Sequence, residues 1–339
     1  MHNPDKIIKW GIIGCGNVTE VKSGPAFNKV PQSKLVAVMR RNAAKAEDYA
    51  TRHSVPKWYD DAQKLIDDPE VNAIYIATPP AFHEEYTLAA FKAGKPVYVE
   101  KPMTLDAMGA QRMMKASTDY RQKLSVAHYR RQQPLFLKVR ELLNDKVIGE
   151  TRFVNLKLYQ APDNNIIARS EENWRLTPEL SGGGLFHDLA PHQFDLMHYF
   201  FGDSIYARGF AINQASLYNA DDFVTGHICF DNQVVFNGIW CYSNAASEST
   251  DHCEIVGSKG SIRFAVFEHK RIELRVGEQL SVIDFEPLQH VQQPMIQAVV
   301  EYFLDQRDNP CSVADGLKVM QWIDSFTSKP GASLLSASE

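Results

Sequence analysis

Residues 6–19 read Lys6-Ile-Ile-Lys-Trp-Gly-Ile-Ile-Gly-Cys-Gly-Asn-Val-Thr19. An apolar run suited to a buried strand ends in Gly14-Cys15-Gly16 and passes into a helix-like stretch. A dinucleotide pyrophosphate needs glycines at such a junction. The backbone must approach the phosphates closely, and the N–H groups at the helix start must be free to donate to them. The third position of this fingerprint, usually Gly or Ala, is Thr19, which predicts a helix standing slightly farther from its strand. The pattern alone also fits a glycine turn in any α/β protein; its place on the first strand favours the nucleotide reading.

Outward from that stretch, short apolar runs at 35–39, 71–78, 96–100 and 124–128 follow the first one at 6–13. Helical patterns at 43–53, 62–67, 84–93 and 106–120 separate them. Near-continuous apolar strands alternating with helices imply a doubly wound parallel sheet buried on both faces, a Rossmann domain over 1–126. Beyond it one helix (134–144) leads into runs at 151–159, 205–213, 222–230, 234–242, 261–267, 271–276 and 280–285. Several of these alternate apolar and polar residues, and Asp231-Asn-Gln233 and Gly277-Glu-Gln279 make short turns. The pattern predicts an α+β domain over 127–326 built on a largely antiparallel, open-faced sheet, closed by helices at 294–305 and 313–326. A Ser/Ala/Gly-rich tail, 327–339, is expected to fray.

Composition bounds the function. The 339 residues are 44% hydrophobic and 23% charged, with 36 Lys plus Arg against 41 Asp plus Glu, a formal charge of −5. Such a chain buries a large core without staples, and it lacks the basic excess that a nucleic-acid binder uses against phosphates. No run approaches the roughly 18 apolar residues of a membrane span, and the first nine residues lack a signal peptide's apolar core. Five cysteines, with no Cys-x-x-Cys pair, fit a reduced, cytoplasmic protein.

Chemistry-bearing residues gather at the ends of the first domain's strands, where open α/β sheets bind ligands. The second strand ends in Arg40-Arg41, where an NAD site would place a carboxylate for the ribose hydroxyls. An arginine fork instead suits a 2′-phosphate, so NADP(H) is favoured and NAD(H) remains possible. Thr78-Pro79 with His83, Glu100-Lys101-Pro102 and His128-Tyr129-Arg130-Arg131 follow later strands. Lys101 stands out, since an ammonium there can polarise a carbonyl or hydroxyl oxygen. In the second domain Gly182-Gly-Gly184 precedes Asp188 and His192, whose spacing of four places both on one helix face. A carboxylate beside an imidazole orients it and favours its protonated form. Pro191 predicts a kink there. No metal site is expected, for want of ligand spacing.

Together these segments resemble the glucose–fructose oxidoreductase/inositol dehydrogenase (Gfo/Idh/MocA) family. The resemblance rests on Gly11–Val18, on Ala77-Thr-Pro-Pro80 with His83, and on Ala93-Gly-Lys-Pro-Val-Tyr-Val-Glu-Lys-Pro102. Arg130 and Arg131 with Pro134, Ile148-Gly149, Trp174-Arg175, Gly182–Gly184, Asp188-x-x-x-His192 and Val256-Gly-Ser-Lys-Gly260 extend it over residues 6–325. The resemblance implies reversible hydride transfer between a nicotinamide and a sugar, sugar-derived carbonyl or polyol. It also implies a homodimer or homotetramer formed through the open sheet. It makes Lys101 the catalytic lysine, with His192, oriented by Asp188, as proton donor or acceptor. The cofactor residues would be Gly14, Gly16, Asn17, Val18, Arg40, Arg41, Thr78, Pro79, His83, Glu100 and Lys101. The substrate residues would be Lys101, Tyr129, Arg131, Trp174, Arg175, Asp188 and His192. Two other activities occur on this frame: a non-catalytic NADP-sensing regulator and a redox-neutral NAD-dependent glycosidase.

Overall fold

A computed structural model describes residues 6–162 and 174–328. The first layer is a parallel sheet of β1 (Ile8–Ile13), β2 (Ser33–Met39), β3 (Lys57–Tyr59), β4 (Ala73–Ile76), β5 (Val97–Val99) and β6 (Leu124–Val126). Their order, β3-β2-β1-β4-β5-β6, reverses direction between β1 and β4, which opens a crevice at the strands' carboxyl ends. Every residue of β4, β5 and β6 is buried, as a sheet covered on both faces requires. The connecting helices are α1 (Asn17–Val21), α2 (Ala43–Arg52), α3 (Ala62–Asp67), α4 (His83–Lys92) and α5 (Ala107–Asp119). Asn42, Asp61 and Asp106 start three of them, each side chain accepting a hydrogen bond from a backbone N–H of the first turn.

Helix α6 (Pro134–Asn144) leads to β7 (Thr151–Tyr159). After α7 (Pro178–Ser181) and α8 (Leu185–Phe201) come β8 (Ser204–Ile212), β9 (Phe223–Phe230), β10 (Val235–Cys241) and β11 (Thr250–Gly257). Then follow β12 (Gly260–Phe264), β13 (Arg271–Val276) and β14 (Gln279–Asp284). These strands form one sheet in the order β14-β13-β12-β11-β7-β10-β9-β8, antiparallel except where β7 pairs with β10. Its inner face packs on α8 through rings such as Phe186 and Trp240, centroids 5.1 Å apart. Its outer face is open: Ile205, Phe210, Leu280 and Val282 are all exposed.

The last helices, α9 (Gln293–Phe303) and α10 (Val313–Thr327), return to the first layer. Phe303 packs on Trp10, and Asp324 caps α5 by accepting from the Ala107 N–H at 2.9 Å. Two strands escape the sequence pattern. β3 is a three-residue edge strand with no buried residue, and β11 hides its inward Cys253 and Ile255 among polar neighbours. Helix α8 runs on through Pro191, which does not end it. The expected tail lies, from residue 329 on, outside the described residues. No helix among the described residues is long and apolar enough to cross a membrane.

Candidate active site

The glycine turn after β1 is built as the sequence requires. Gly14 has φ +94°, and a Cβ there would stand 2.9 Å from backbone atoms of Ala77 and Thr78. A Cβ on Gly16 would instead enter open space, with Gly14 O the nearest atom at 4.0 Å. The turn therefore offers bare backbone to a ligand on one side. Thr19 folds back onto it, its hydroxyl donating to Gly16 O at 2.8 Å, so the larger third residue is accommodated inside the turn. Helix α1 is only five residues long. Asn17 is exposed, and Val18 lines the adjoining cavity. Arg40 and Arg41 stand at the end of β2, and neither forms an ion pair among the described residues. Arg41 lies over the Phe82 ring at 5.2 Å. At the end of β4, the buried Thr78 hydroxyl has no partner, and Pro79 is half-buried beside it. An open glycine turn, two unpaired guanidiniums and an orphaned hydroxyl at the strand ends fit a dinucleotide.

His83 departs from expectation. Its ring is fully buried between the Thr78 carbonyl at 2.8 Å and the Pro102 carbonyl at 3.0 Å. It ties together the two loops that follow β4 and β5, and no ring nitrogen is open to a cofactor. Burial pushes its pKa down to about 4.

Where β5 and β6 end, a cavity of about 440 Å³ lies between the two sheets. Glu100 lines it, accepting from Tyr75 Oη at 2.5 Å and Gln292 Nε2 at 2.6 Å. Lys101 reaches across to α8, with Nζ donating to Asp188 Oδ1 at 2.7 Å and to the Asp188 carbonyl at 2.8 Å. The second carboxylate oxygen of Asp188 accepts from Arg175 Nε at 2.9 Å. Burial alone would raise the Asp188 pKa, but the two cations hold it well below the usual carboxylate range.

His192 also lines the cavity, edge-on to Tyr129 at 5.2 Å and to Phe267 at 5.9 Å. It makes no hydrogen bond to Asp188, whose carboxylate is engaged by Lys101 and Arg175, and its buried Nδ1 has no partner. Burial, reinforced by the cations of Lys101 and Arg130, holds its pKa well below the usual value. The expected orientation of His192 by Asp188 is therefore not seen, because the carboxylate turns to Lys101 and Arg175 instead. The three glycines before α8 are demanded by the backbone: a Cβ on Gly183 would collide with the His187 ring at 2.2 Å, and Gly182 and Gly184 have φ of +91° and +82°.

Two substrate expectations change. Arg131 is buried away from the cavity, its guanidinium bonded to Asp195 at 2.8–3.0 Å and to Asp315 at 3.2 Å. Its neighbour Arg130 lines the cavity instead. Trp174 supports the Arg175 guanidinium at 4.4 Å from its ring and is not among the lining residues. Lys22, Gln160, Asp251 and Gln292 line the cavity without having drawn notice in the sequence. Among the described residues no cluster of three His, Cys, Asp or Glu could hold a metal ion.

A Rossmann sheet whose carboxyl edge opens on a charged cavity, roofed by a second, open-faced sheet, defines a class of nicotinamide-dependent oxidoreductases. Comparison with known proteins gives the family: the chain belongs to the Gfo/Idh/MocA oxidoreductases. Residues 8–128 match the oxidoreductase family's NAD-binding Rossmann fold, and residues 136–263 its GFO/IDH/MocA C-terminal domain. Oxidoreductase P35 of Formosa agariphila is 45% identical over 319 residues, 94% of this chain and 98% of that protein. The 1,5-anhydro-D-fructose reductase of Ensifer adhaerens is 26% identical over 257 residues, 75% of this chain and 74% of that one. Levoglucosan dehydrogenase, solved with NADH and levoglucosan, superposes with a TM-score of 0.84 at 20% identity, covering 95% of this chain and 96% of its own.

Proposed function

We propose that the protein is an NADP(H)-preferring oxidoreductase interconverting a hydroxyl and a carbonyl on a sugar, sugar-derived carbonyl or polyol. The observation that carries this reading is the Lys101–Asp188 ion pair at the carboxyl edge of the parallel sheet. The names of the Formosa and Ensifer relatives agree with it, and the unpaired Arg40 and Arg41 favour the 2′-phosphorylated cofactor.

Nicotinamide supplies or accepts the hydride when bound. In reduction, Lys101 donates a hydrogen bond to the substrate carbonyl oxygen and then its proton; in oxidation it takes the hydroxyl proton back. Asp188 keeps the lysine aimed into the cavity and Arg175 keeps Asp188 ionised. His192, whose burial favours the uncharged ring, orients the same oxygen and can accept the proton. The exposed apolar strip on the outer sheet face is proposed to pair copies of the chain, and the five free cysteines accord with a cytoplasmic setting.

The test follows nicotinamide absorbance with NADPH, NADP⁺, NADH and NAD⁺ over aldoses, ketoses, dicarbonyl sugars and polyols. Turnover is expected with the phosphorylated cofactor, and Arg40→Ala should raise the KM for NADPH about 10-fold, the scale of one lost charge-assisted hydrogen bond, while leaving that for NADH unchanged. Equal use of NADH would remove the cofactor assignment. Bound cofactor without turnover would point to a sensor, and glycoside cleavage without net redox change to the redox-neutral glycosidase.

A further inference from the structure

Four cations line the cavity, and they are not equivalent. Lys101 and Arg175 share Asp188. Lys22 and Arg130 have no carboxylate partner among the described residues. The Lys22 side chain comes from the C-cap of α1, and its Nζ forms no hydrogen bond or ion pair there. Arg130 is 5% exposed; one guanidinium nitrogen donates to the Val266 carbonyl at 2.6 Å, and its buried Nε has no acceptor. Its plane is steadied by the rings of Phe267 at 4.8 Å and Tyr129 at 5.5 Å.

The nearby acids act on this pair only at a distance, without an ion pair. Asp251 is engaged by the backbone N–H groups of Val266, Phe267 and Glu268. Glu100 is engaged by Tyr75 and Gln292, and the Glu268 side chain is exposed. Burial also lowers the Lys22 pKa and raises that of Asp251, each toward its neutral form. Two partly desolvated cations lining one cavity cost stability unless an anion joins them. Folding retains them here, on the wall of the cavity that also holds Lys101.

We propose that the substrate is a sugar acid whose carboxylate seats between Lys22 and Arg130 while its reacting carbon lies at Lys101. This rests on reading the cavity as the substrate site of the oxidoreductase. Of the four lining cations, Lys101 and Arg175 are bonded to Asp188, whereas Lys22 and Arg130 touch no carboxylate among the described residues and are left to meet an anionic group of the ligand. Arg130 presents a planar fork suited to a carboxylate, and Lys22 adds a point charge.

The experiment measures binding by calorimetry to the cofactor-loaded enzyme, alongside turnover, for D-glucuronate against D-glucose and D-galacturonate against D-galactose. Each acid should bind about 10- to 100-fold more tightly than its neutral partner, as charge-assisted hydrogen bonds predict. Lys22→Met should erase most of that ratio, and Arg130→Lys, which keeps the charge and loses the fork, should reduce it less. Equal binding of acid and neutral sugar, or no binding of either acid, overturns the proposal. So does a Lys22→Met variant that weakens NADPH binding and leaves the ratio intact, since Lys22 would then serve cofactor phosphates. Neutral sugars turned over and acids rejected would leave the oxidoreductase reading standing and remove this one. Acids bound preferentially without hydride transfer would do the reverse.

Discussion

Helix α8 carries two buried aspartates about two turns apart, Asp188 and Asp195, and each is gripped by an arginine. Their settings differ. Asp188 lies on the cavity wall and adds Lys101 to Arg175, so both of its cations line the space where a substrate fits. Asp195 is fully buried, with Arg131 bonded to both its oxygens and Cys311 and His128 packed around it. The same carboxylate chemistry thus serves one site that stays open and one that is closed. The difference lies in whether a cation is left with a face toward the cavity. Arg131 spans Asp195 and Asp315 and joins the turn after β6 to α8 and α10, which is an architectural task.

The largest effect that tests this contrast is expected at Lys101. Lys101→Met leaves Asp188 its Arg175 partner, so the fold should persist while kcat falls about 10²- to 10⁴-fold, the weight of a lost acid–base group. Steady-state kinetics beside thermal unfolding checks both halves. Turnover within a few-fold of wild type would remove Lys101 from the chemistry.

Arg131→Met should invert the pattern. It strands Asp195 as a buried, unpaired charge and should lower stability by about 3–5 kcal/mol, with turnover per folded molecule little changed. Denaturant unfolding gives the first quantity and active-fraction-corrected kinetics the second. A variant of full stability that had lost turnover would return Arg131 to the substrate site and dissolve the contrast.

The sequence exposes the first layer well because its signals are local. Glycines at a strand end, apolar runs and Asn or Asp caps all act within a few residues of where they stand. Lys101 is legible for the same reason, since a strand end locates it. The partners in the cavity are not local. Asp188 and His192 share a helix face by spacing, but spacing does not reveal that Lys101, 87 residues away in sequence, takes the carboxylate first. A tandem pair such as Arg130-Arg131 points its side chains in different directions, and only packing against α8 decides which one is buried with Asp195. Gln292 reaches Glu100 from the start of α9, with no pattern near either residue to announce it. β11 was obscured by its polar outward residues, although Cys253 and Ile255 alternate as an inner face should.

The smallest effect expected is a pH dependence, and it also separates the two aspartate settings. His128, packed 4.0 Å from Asp195, has its pKa pushed down to about 4 by burial, with Arg131 adding to the effect and Asp195 opposing it. Burial likewise lowers His83 and His187 to about 4. A histidine depressed in the folded state binds fewer protons there than in the unfolded chain, so its contribution is complete above the usual value of about 6.5 and declines as pH falls toward 4. His198, bonded to Asp315 at 3.1 Å, is raised and works the other way, adding stability below 6.5 that is lost as pH rises through its folded value. With His192 and His269 also lowered by burial, five lowered rings outweigh one raised ring, so the unfolding free energy should fall between pH 7.5 and 6 by about 1 kcal/mol or less for each lowered ring. Asp188 and Asp315, both held below the usual carboxylate range, stay ionised across that interval and contribute no slope. Urea unfolding at the two pH values measures the change, and His128→Asn should flatten part of it. A stability that rose on acidification would mean that His198 dominates and that the ring beside Asp195 is protonated, making the closed cluster a charged triad of His128, Asp195 and Arg131 instead of a simple ion pair.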